Sequence, residues 1–394
     1  MISVAQALAH CLDLVRPLPI EQVPLRAAAG RHMPGPAVAT RDQPPFDASA
    51  MDGYAVTGDP VAGDSFTVVG EAGAGHAWSG TLLPSQALRI FTGAPLPTGA
   101  NRVLIQEDVT RTDQAIVVNP DADTGTHIRP RGQDFRVGDS LSPRLLRPND
   151  LALLAAMNLP FVAVTRRPVV AIIATGDELV MPGEVPAPDQ IIASNAYTLM
   201  ALVTAAGAEA RMLPIARDTL ASLTTVLELA ADADLILTTG GASVGDHDLV
   251  AQVAQSLGME RKFWKIAMRP GKPLMAGRLG ASALLGLPGN PVSSIVCAHL
   301  FALPMIRALL GLPPEALPPQ PLAAVLGADV GATGARTHYM RARLTHGYAV
   351  PTITPFDRQD SSLLSILAGA DALLIRPQDD APRQAGEPVT YLPI

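Results

Sequence analysis

Apolar and polar positions follow two different rhythms along this chain. From about residue 46 to 139, short runs such as "SFTVVGEAG", "ALRIFTG", "RVLIQEDV" and "AIVVNP" are broken by Gly, Pro, Asp and Asn. Alternating runs between turn residues predict an all-β module. Residues 1–40 predict a helix followed by Pro-rich extended chain, and "RPNDLALLAAMNL" predicts a helix with Asn149 or Asp150 at its start. That helix is expected to pack back near the first, which would make the β module an insertion.

From Arg167 the rhythm changes. "PVVAIIATGDE" is a near-continuous β-branched run, as expected of a strand buried on both faces of a parallel sheet. "SNAYTLMALVTAAGA" then predicts a helix capped at Ser194 or Asn195 and stopped at Gly207, with Leu199, Leu202, Val203 and Ala206 on one face. The alternation continues through "ARMLPIA", "DTLASLTTVLELAADA", "DLILTTGG" and "ALLGLPGNP". Strands alternating with helices define a doubly wound α/β domain. After the Pro-rich linker "GLPPEALPPQP", short strands return. The expected domains are 1–45 with 140–167, 46–139, 168–317 and 318–394.

Bulk properties narrow the classes. A length of 394 residues predicts several domains, and 48% apolar with 16% charged residues is a globular balance. The formal charge of −7 argues against a nucleic-acid binder, which needs a broad basic face. Cys11 and Cys297 are too few for a disulfide framework or a cysteine zinc site, so a cytoplasmic setting is expected. "VAQALAHCLDLV" is interrupted by His10 and Asp13, unlike a signal-peptide core. "IVCAHLFALPMIRALLG" carries His299, Pro304 and Arg307, is shorter than a bilayer span needs, and predicts a buried helix; no membrane partner is expected.

Against that background one stretch stands out. The only lysines, Lys262, Lys265 and Lys272, fall within "RKFWKIAMRPGKP", together with Arg261 and Arg269. Lysine is a compact point charge, suited to a tetrahedral oxyanion. Three loops also begin where apolar strands end: "ATGDE" (174–178), "TTGGASVGDHD" (238–248) and "LPGNPVSS" (287–294). Ligands of open parallel sheets bind at the carboxyl ends of the strands, so sequence order alone puts these loops on one rim. Gly240 and Gly241 allow close backbone approach, and Thr239 and Ser243 supply hydroxyls. Pro288, Gly289, Asn290 and Pro291 form a turn into a helix, with Ser293 and Ser294 as donors. Asp177, Glu178, Asp246 and Asp248 stand on the same rim, with Asp218 after the second strand. Carboxylates beside phosphate cradles are how Mg²⁺ is held against a phosphorylated substrate. Taken singly, each loop reads as ordinary turn chemistry.

"FDASAMDGYAV", "FTGAPLPTGA", "ATGDEL", "TTGGASVGDHD", "MRPGKP" and "LPGNPVSS" occur in the order seen in molybdopterin molybdenumtransferases, the family that includes the gephyrin E domain. The resemblance covers almost the whole chain. It implies an elongated homodimer whose central α/β domain resembles molybdopterin adenylyltransferase, with an inserted N-terminal β module and a small C-terminal β domain. It implies insertion of molybdate into adenylylated molybdopterin, with AMP released and Mg²⁺ assisting. Adenylyltransferase and molybdoenzyme maturation proteins are the partners expected from it. Molybdenum's sulfur ligands would come from the pterin, so Cys297 is read as core packing. By resemblance Lys265, Arg269, Lys272 and Ser293 face molybdate, with Ser361 or Ser362 and Arg341 or Arg343 completing the pocket. Glu178, Asp218 and Asp248 would serve phosphate, metal and hydrolysis, with Glu178 and Asp248 as the metal ligands. Asp52, Thr92 and Asp134 would reach in from the N-terminal half, and His247 would be a spectator. Arg269 is a departure, since many relatives carry lysine there. Two rivals follow: an adenylyltransferase using ATP, for which the flanking β modules are superfluous, and a non-catalytic scaffold, which needs an exposed apolar groove.

Overall fold

The computed structural model describes residues 1–240, 249–347 and 350–394. The chain divides into two compact units, one of residues 1–21, 30–34 and 164–394, the other of residues 22–29 and 35–163.

The first unit is built on a six-stranded sheet in the order Glu209–Met212, Val169–Ala174, Leu235–Thr239, Ser282–Leu287, Met275–Leu279, Glu260–Trp264. Its first four strands are mutually parallel; Met275–Leu279 runs antiparallel to them, and Glu260–Trp264 pairs antiparallel with it in turn. Successive residues of a strand point to opposite faces, and the core divides accordingly. Val170, Ile172, Leu235 and Leu237 pack against Ala196, Leu199 and Val203 of the helix Asn195–Ala205. Ala171, Ile173 and Ile236 face Leu223 and Val226 of Leu220–Leu229 and Val250 and Val253 of Leu249–Ser256. Helices cover both faces, which is why the strands read as unbroken apolar runs. The expected face of the first helix is confirmed: Leu199 and Val203 are buried, Leu202 and Ala206 packed beside them. Ser194 occupies the cap position, but its side chain makes no capping hydrogen bond.

Two expectations change. The residues Pro291–Leu309 form 19 continuous helical residues, long and apolar enough by composition to cross a membrane. They join two α segments through a π segment at Ala298–Ala302, so Pro304 enters near the first turn of the last segment instead of breaking the helix. Of the most apolar window, 78% is buried inside the protein, as expected of a core helix. The helix Val4–Asp13 buries Ala7 and Cys11 in the core of the first unit, whereas the helix Pro148–Ala156 belongs to the second. Asp150 sits inside that second helix, not at its cap, and accepts the amide of Arg147 at 2.8 Å.

The last part of the first unit is a small barrel. Thr337–Thr345 pairs with Thr352–Pro355 on one side and Ala372–Arg376 on the other, and Leu322–Leu326 and Pro388–Pro393 close the circuit. The two-residue strand Met268–Arg269 joins its edge, in register with Thr337 and His338.

The second unit carries its own six-stranded sheet, ordered Arg102–Ile105, Gly53–Val56, Gln86–Ile90, Ser65–Ala72, Ala115–Val118, Val109–Thr112. Each of the four quoted alternating runs coincides with one of these strands to within a residue at its start.

Candidate functional site

The chain leaves Val169–Ala174 toward one edge of the sheet and returns to place Leu235–Thr239 on the other side. Ligand clefts of open α/β sheets form at such a switch point. A cavity of about 790 Å³ lies there, walled by Thr175, Gly176 and Glu178, by Thr239 and Gly240, and by Pro288 to Pro291. The three loops therefore share one rim, as their order predicts.

Close backbone approach builds this rim. Gly240 has φ +95°, and a Cβ there would stand 2.6 Å from the carbonyl oxygen of Thr175. The Thr175 hydroxyl and amide both donate to the carbonyl of Thr239, at 3.2 and 2.9 Å. The Arg217 guanidinium holds the acidic loop by donating to the carbonyls of Leu179, Asp177 and Gly176 at 2.9, 3.1 and 3.4 Å. Asp177 caps the chain by accepting the Asp218 amide at 3.1 Å, which leaves Glu178 and Asp218 as carboxylates on the cavity wall.

Asn195, which sequence reasoning treats only as a possible helix cap, is part of this wall. Its Nδ2 donates to the carbonyl of Gly289 at 2.7 Å, and its Oδ1 is buried without a partner. No local pattern marks it, because its role depends on where Gly289 arrives from the far strand.

Of the basic residues, Lys265 lies over the Trp264 ring, its Nζ 4.2 Å from the centroid. The segments bearing Lys265 and Lys272 are zipped together by Lys265 donating to Leu274 and Ile266 to Lys272, at 3.1 and 3.0 Å. Gly271 presses on the site-bearing helix so closely that a Cβ would meet Cys297 Sγ at 2.5 Å. Cys297 is fully buried, and burial pushes its thiol far up; it is core packing, as read. Pro273, closing the basic turn, lines the cavity. The basic turn and the glycine-rich loops thus share one side of the domain.

Ser361 also reaches the rim. Asn290 Nδ2 donates to its hydroxyl at 3.0 Å, and its carbonyl accepts the Val292 amide at 3.1 Å. Ser362 lines the cavity itself, while its hydroxyl and amide are bonded to Asp360.

Several expected ligands are placed differently. Ser293 and Ser294 are buried within the helix and do not line the cavity. Arg341 is 1% exposed and donates to the carbonyls of Asp360, Leu363 and Arg358, so it supports the Ser361 loop from behind. The Arg343 guanidinium stacks 5.0 Å from the Phe356 ring. Arg269 lines a separate, smaller cavity, because its register with His338 turns it toward the barrel. Gly241, Ser243, Asp246, His247 and Asp248 lie outside the described residues.

In the second unit, Asp52 and Thr92 form a pair. Asp52 Oδ1 accepts both the amide and the hydroxyl of Thr92 at 2.7 Å. These bonds, the amide's first, hold the Asp52 carboxyl below its usual range. Asp134 lines a cavity of about 590 Å³ with Pro44, Pro45, Phe46 and Arg129.

Fold and site together define a ligand-binding α/β enzyme domain flanked by β modules. Three family descriptions match along the chain: the MoeA N-terminal region over residues 2–158, a probable molybdopterin binding domain over 171–308, and the MoeA C-terminal region over 323–394. A molybdopterin molybdenumtransferase of Nostoc is 40% identical over 304 residues, covering 74% of this chain and 70% of that one. Molybdopterin molybdenumtransferase 2 of Mycobacterium tuberculosis is 35% identical across 97% of this chain and 96% of its own. The crystal structure of a molybdopterin biosynthesis MoeA protein from Pyrococcus horikoshii superposes with a TM-score of 0.84 at 29% identity, covering 100% and 99% of the two chains. The chain belongs to the molybdopterin molybdenumtransferase family.

Proposed function

We propose that this protein inserts molybdate into adenylylated molybdopterin, releasing AMP and yielding molybdenum cofactor. The observation that carries the reading is that Pro273 of the basic turn lines the same cavity as Glu178 and Asp218. A volume of about 790 Å³ suits a large phosphorylated ligand, since pockets for drug-sized ligands measure roughly 300–1,000 Å³. In this reading Gly240 and Gly289 let the backbone approach the phosphates, Asn290 fixes Ser361 beside the pterin end, and Lys272 offers its charge to molybdate.

Magnesium fits the residues present. Glu178 and Asp218 share the cavity wall, and Mg²⁺ is commonly held by one or two carboxylates plus substrate phosphates. Among the described residues there is no cluster of three or more metal-binding side chains, so the substrate would complete the shell together with Asp248. Bound there, the ion would neutralise phosphate charge as the anhydride is cleaved. A working homodimer, with Asp52, Thr92 and Asp134 serving the site of a second copy, belongs to the same reading. So do a cytoplasmic setting, delivery of substrate by the adenylyltransferase and hand-over to molybdoenzyme maturation proteins.

Purified protein given adenylylated molybdopterin, Mg²⁺ and molybdate should release AMP only when molybdate is present. Release of pyrophosphate from ATP, or no reaction with either substrate, would overturn the proposal.

A further inference from the structure

Arg217 has acids on both sides, Asp177 across the rim and Asp218 next in the chain, yet its guanidinium pairs with no carboxylate among the described residues. Its bonds to the carbonyls of Leu179, Asp177 and Gly176, at 2.9, 3.1 and 3.4 Å, all leave one nitrogen, Nη1. An arginine beside acids ordinarily takes a carboxylate, the partner its planar fork matches. Here it acts as a single tethered cation among backbone dipoles.

The loop it grips has little left to adjust. The carbonyl of Glu178, the one in 176–179 that Arg217 does not take, accepts the Ile191 amide at 2.7 Å. The Gly176 amide donates to the carbonyl of Ala216 at 3.1 Å. Backbone on either side of the Glu178 side chain is thus tied to two later passes of the chain. Gly176 completes the setting: its φ is +144°, and a Cβ there would overlap the Glu178 carboxylate, which folds back over the bare Cα.

Arg217 and Asp218 are neighbours, so the residue that grips the Glu178 loop also carries the second carboxylate. Asp177 Oδ1, accepting the Asp218 amide at 3.1 Å, closes the same link from the other side. Both carboxylates line the main cavity, and neither has a hydrogen-bond or ion-pair partner among the described residues. Mg²⁺ demands near-ideal octahedral geometry, so carboxylates meant for it must be both free and held in place.

We propose that Arg217 is a positioning residue for the metal. By taking three carbonyls and no carboxylate, it fixes Glu178 and Asp218 relative to each other and leaves both charges to a divalent cation. The inference deepens the proposed function and rests on it for the identity of the ligands.

The test is titration of the full chain with Mn²⁺, a paramagnetic substitute for Mg²⁺, followed by electron paramagnetic resonance with AMP present and molybdate absent. The natural protein is compared with Arg217→Ala, Arg217→Lys and Gly176→Ala, and AMP affinity is measured in parallel in EDTA. Arg217→Ala should weaken Mn²⁺ binding about tenfold or more, the usual effect of losing a group that orients metal ligands. Its AMP affinity without metal should stay nearly unchanged, a split that general loss of structure would not produce. Arg217→Lys should lose less, because an ammonium can also sit among carbonyls, and ethylguanidinium should return part of the affinity to Arg217→Ala. Gly176→Ala, which displaces the Glu178 carboxylate without touching Arg217, should reproduce the metal loss. Unchanged Mn²⁺ binding by Arg217→Ala, or an equal loss of metal and AMP, overturns the proposal. If Arg217→Ala fails to fold, the other two variants decide, and natural metal affinity in both overturns it. The two failures are separable. A natural protein that releases no AMP sinks the proposed function, whereas normal release with an unperturbed Arg217→Ala sinks only the role of Arg217.

Discussion

The side-chain amide of Asn290 stands 3.0 Å from the hydroxyl oxygen of Ser361, seventy-one residues later in the chain. This contact ties the loop following a parallel strand to the loop that precedes the helix Leu364–Ala368. Asn290→Ala should lower molybdate-dependent AMP release at least tenfold while costing only about 1 kcal/mol of stability, the net worth of one hydrogen bond. Steady-state kinetics with a denaturant titration would check this; full activity would show that the tether is incidental.

Gly240 tests the close-packed rim. Its φ of +95° and the 2.6 Å approach to Thr175 leave no place for a Cβ. Gly240→Ala should cost about 1–3 kcal/mol and abolish nucleotide binding. A variant with unchanged melting and unchanged AMP affinity would contradict the account.

For Arg341 the fork matters more than the charge. Its guanidinium serves three carbonyls from a buried position. Arg341→Lys keeps the charge but strands acceptors, at about 1–3 kcal/mol. Thermal unfolding should show a clear drop in this variant, and none would mean that the loop holds itself.

Lys272 is expected to act on the oxyanion alone. Lys272→Ala should raise the KM for molybdate about tenfold or more and leave pterin affinity, measured by titration, nearly unchanged. Equal loss of both would reassign the residue.

Acid should weaken the fold through His299. Burial, reinforced by Arg307, pushes its imidazole down to about 4 from an ordinary 6.5. The unfolded chain therefore binds this proton first as pH falls, so stability is lost between pH 6.5 and about 4 and levels off below. Denaturation curves across that window should show a contribution of roughly 1–3 kcal/mol that His299→Gln removes. An identical pH slope in the variant would rule this out.

Much of the architecture was readable before any coordinates. "PVVAIIA" and the apolar stretch of "DLILTT" show no alternation, as expected of strands in a sheet covered on both faces, and both are central strands. The chemistry was less evenly legible. Glu178, Asp218 and Gly240 fall where strand order puts them, whereas Ser293 and Arg341 carry the expected residue types but turn inward. Asn195 and Arg217 gave no signal, because their partners lie 94 and up to 41 residues away.

What the residues alone determined was periodic and local: which stretches are strands or helices, which loops share a rim, and where the positive charge gathers. Burial alternation and turn chemistry act over a few residues, so they survive in one dimension. What only the folded chain decided was direction. Met268–Arg269 lies in register with the barrel strand Thr337–Thr345, and that pairing sends Arg269 into its own cavity while Pro273 closes the other. Which way a side chain faces depends on strand partners distant in sequence, and no local pattern encodes them.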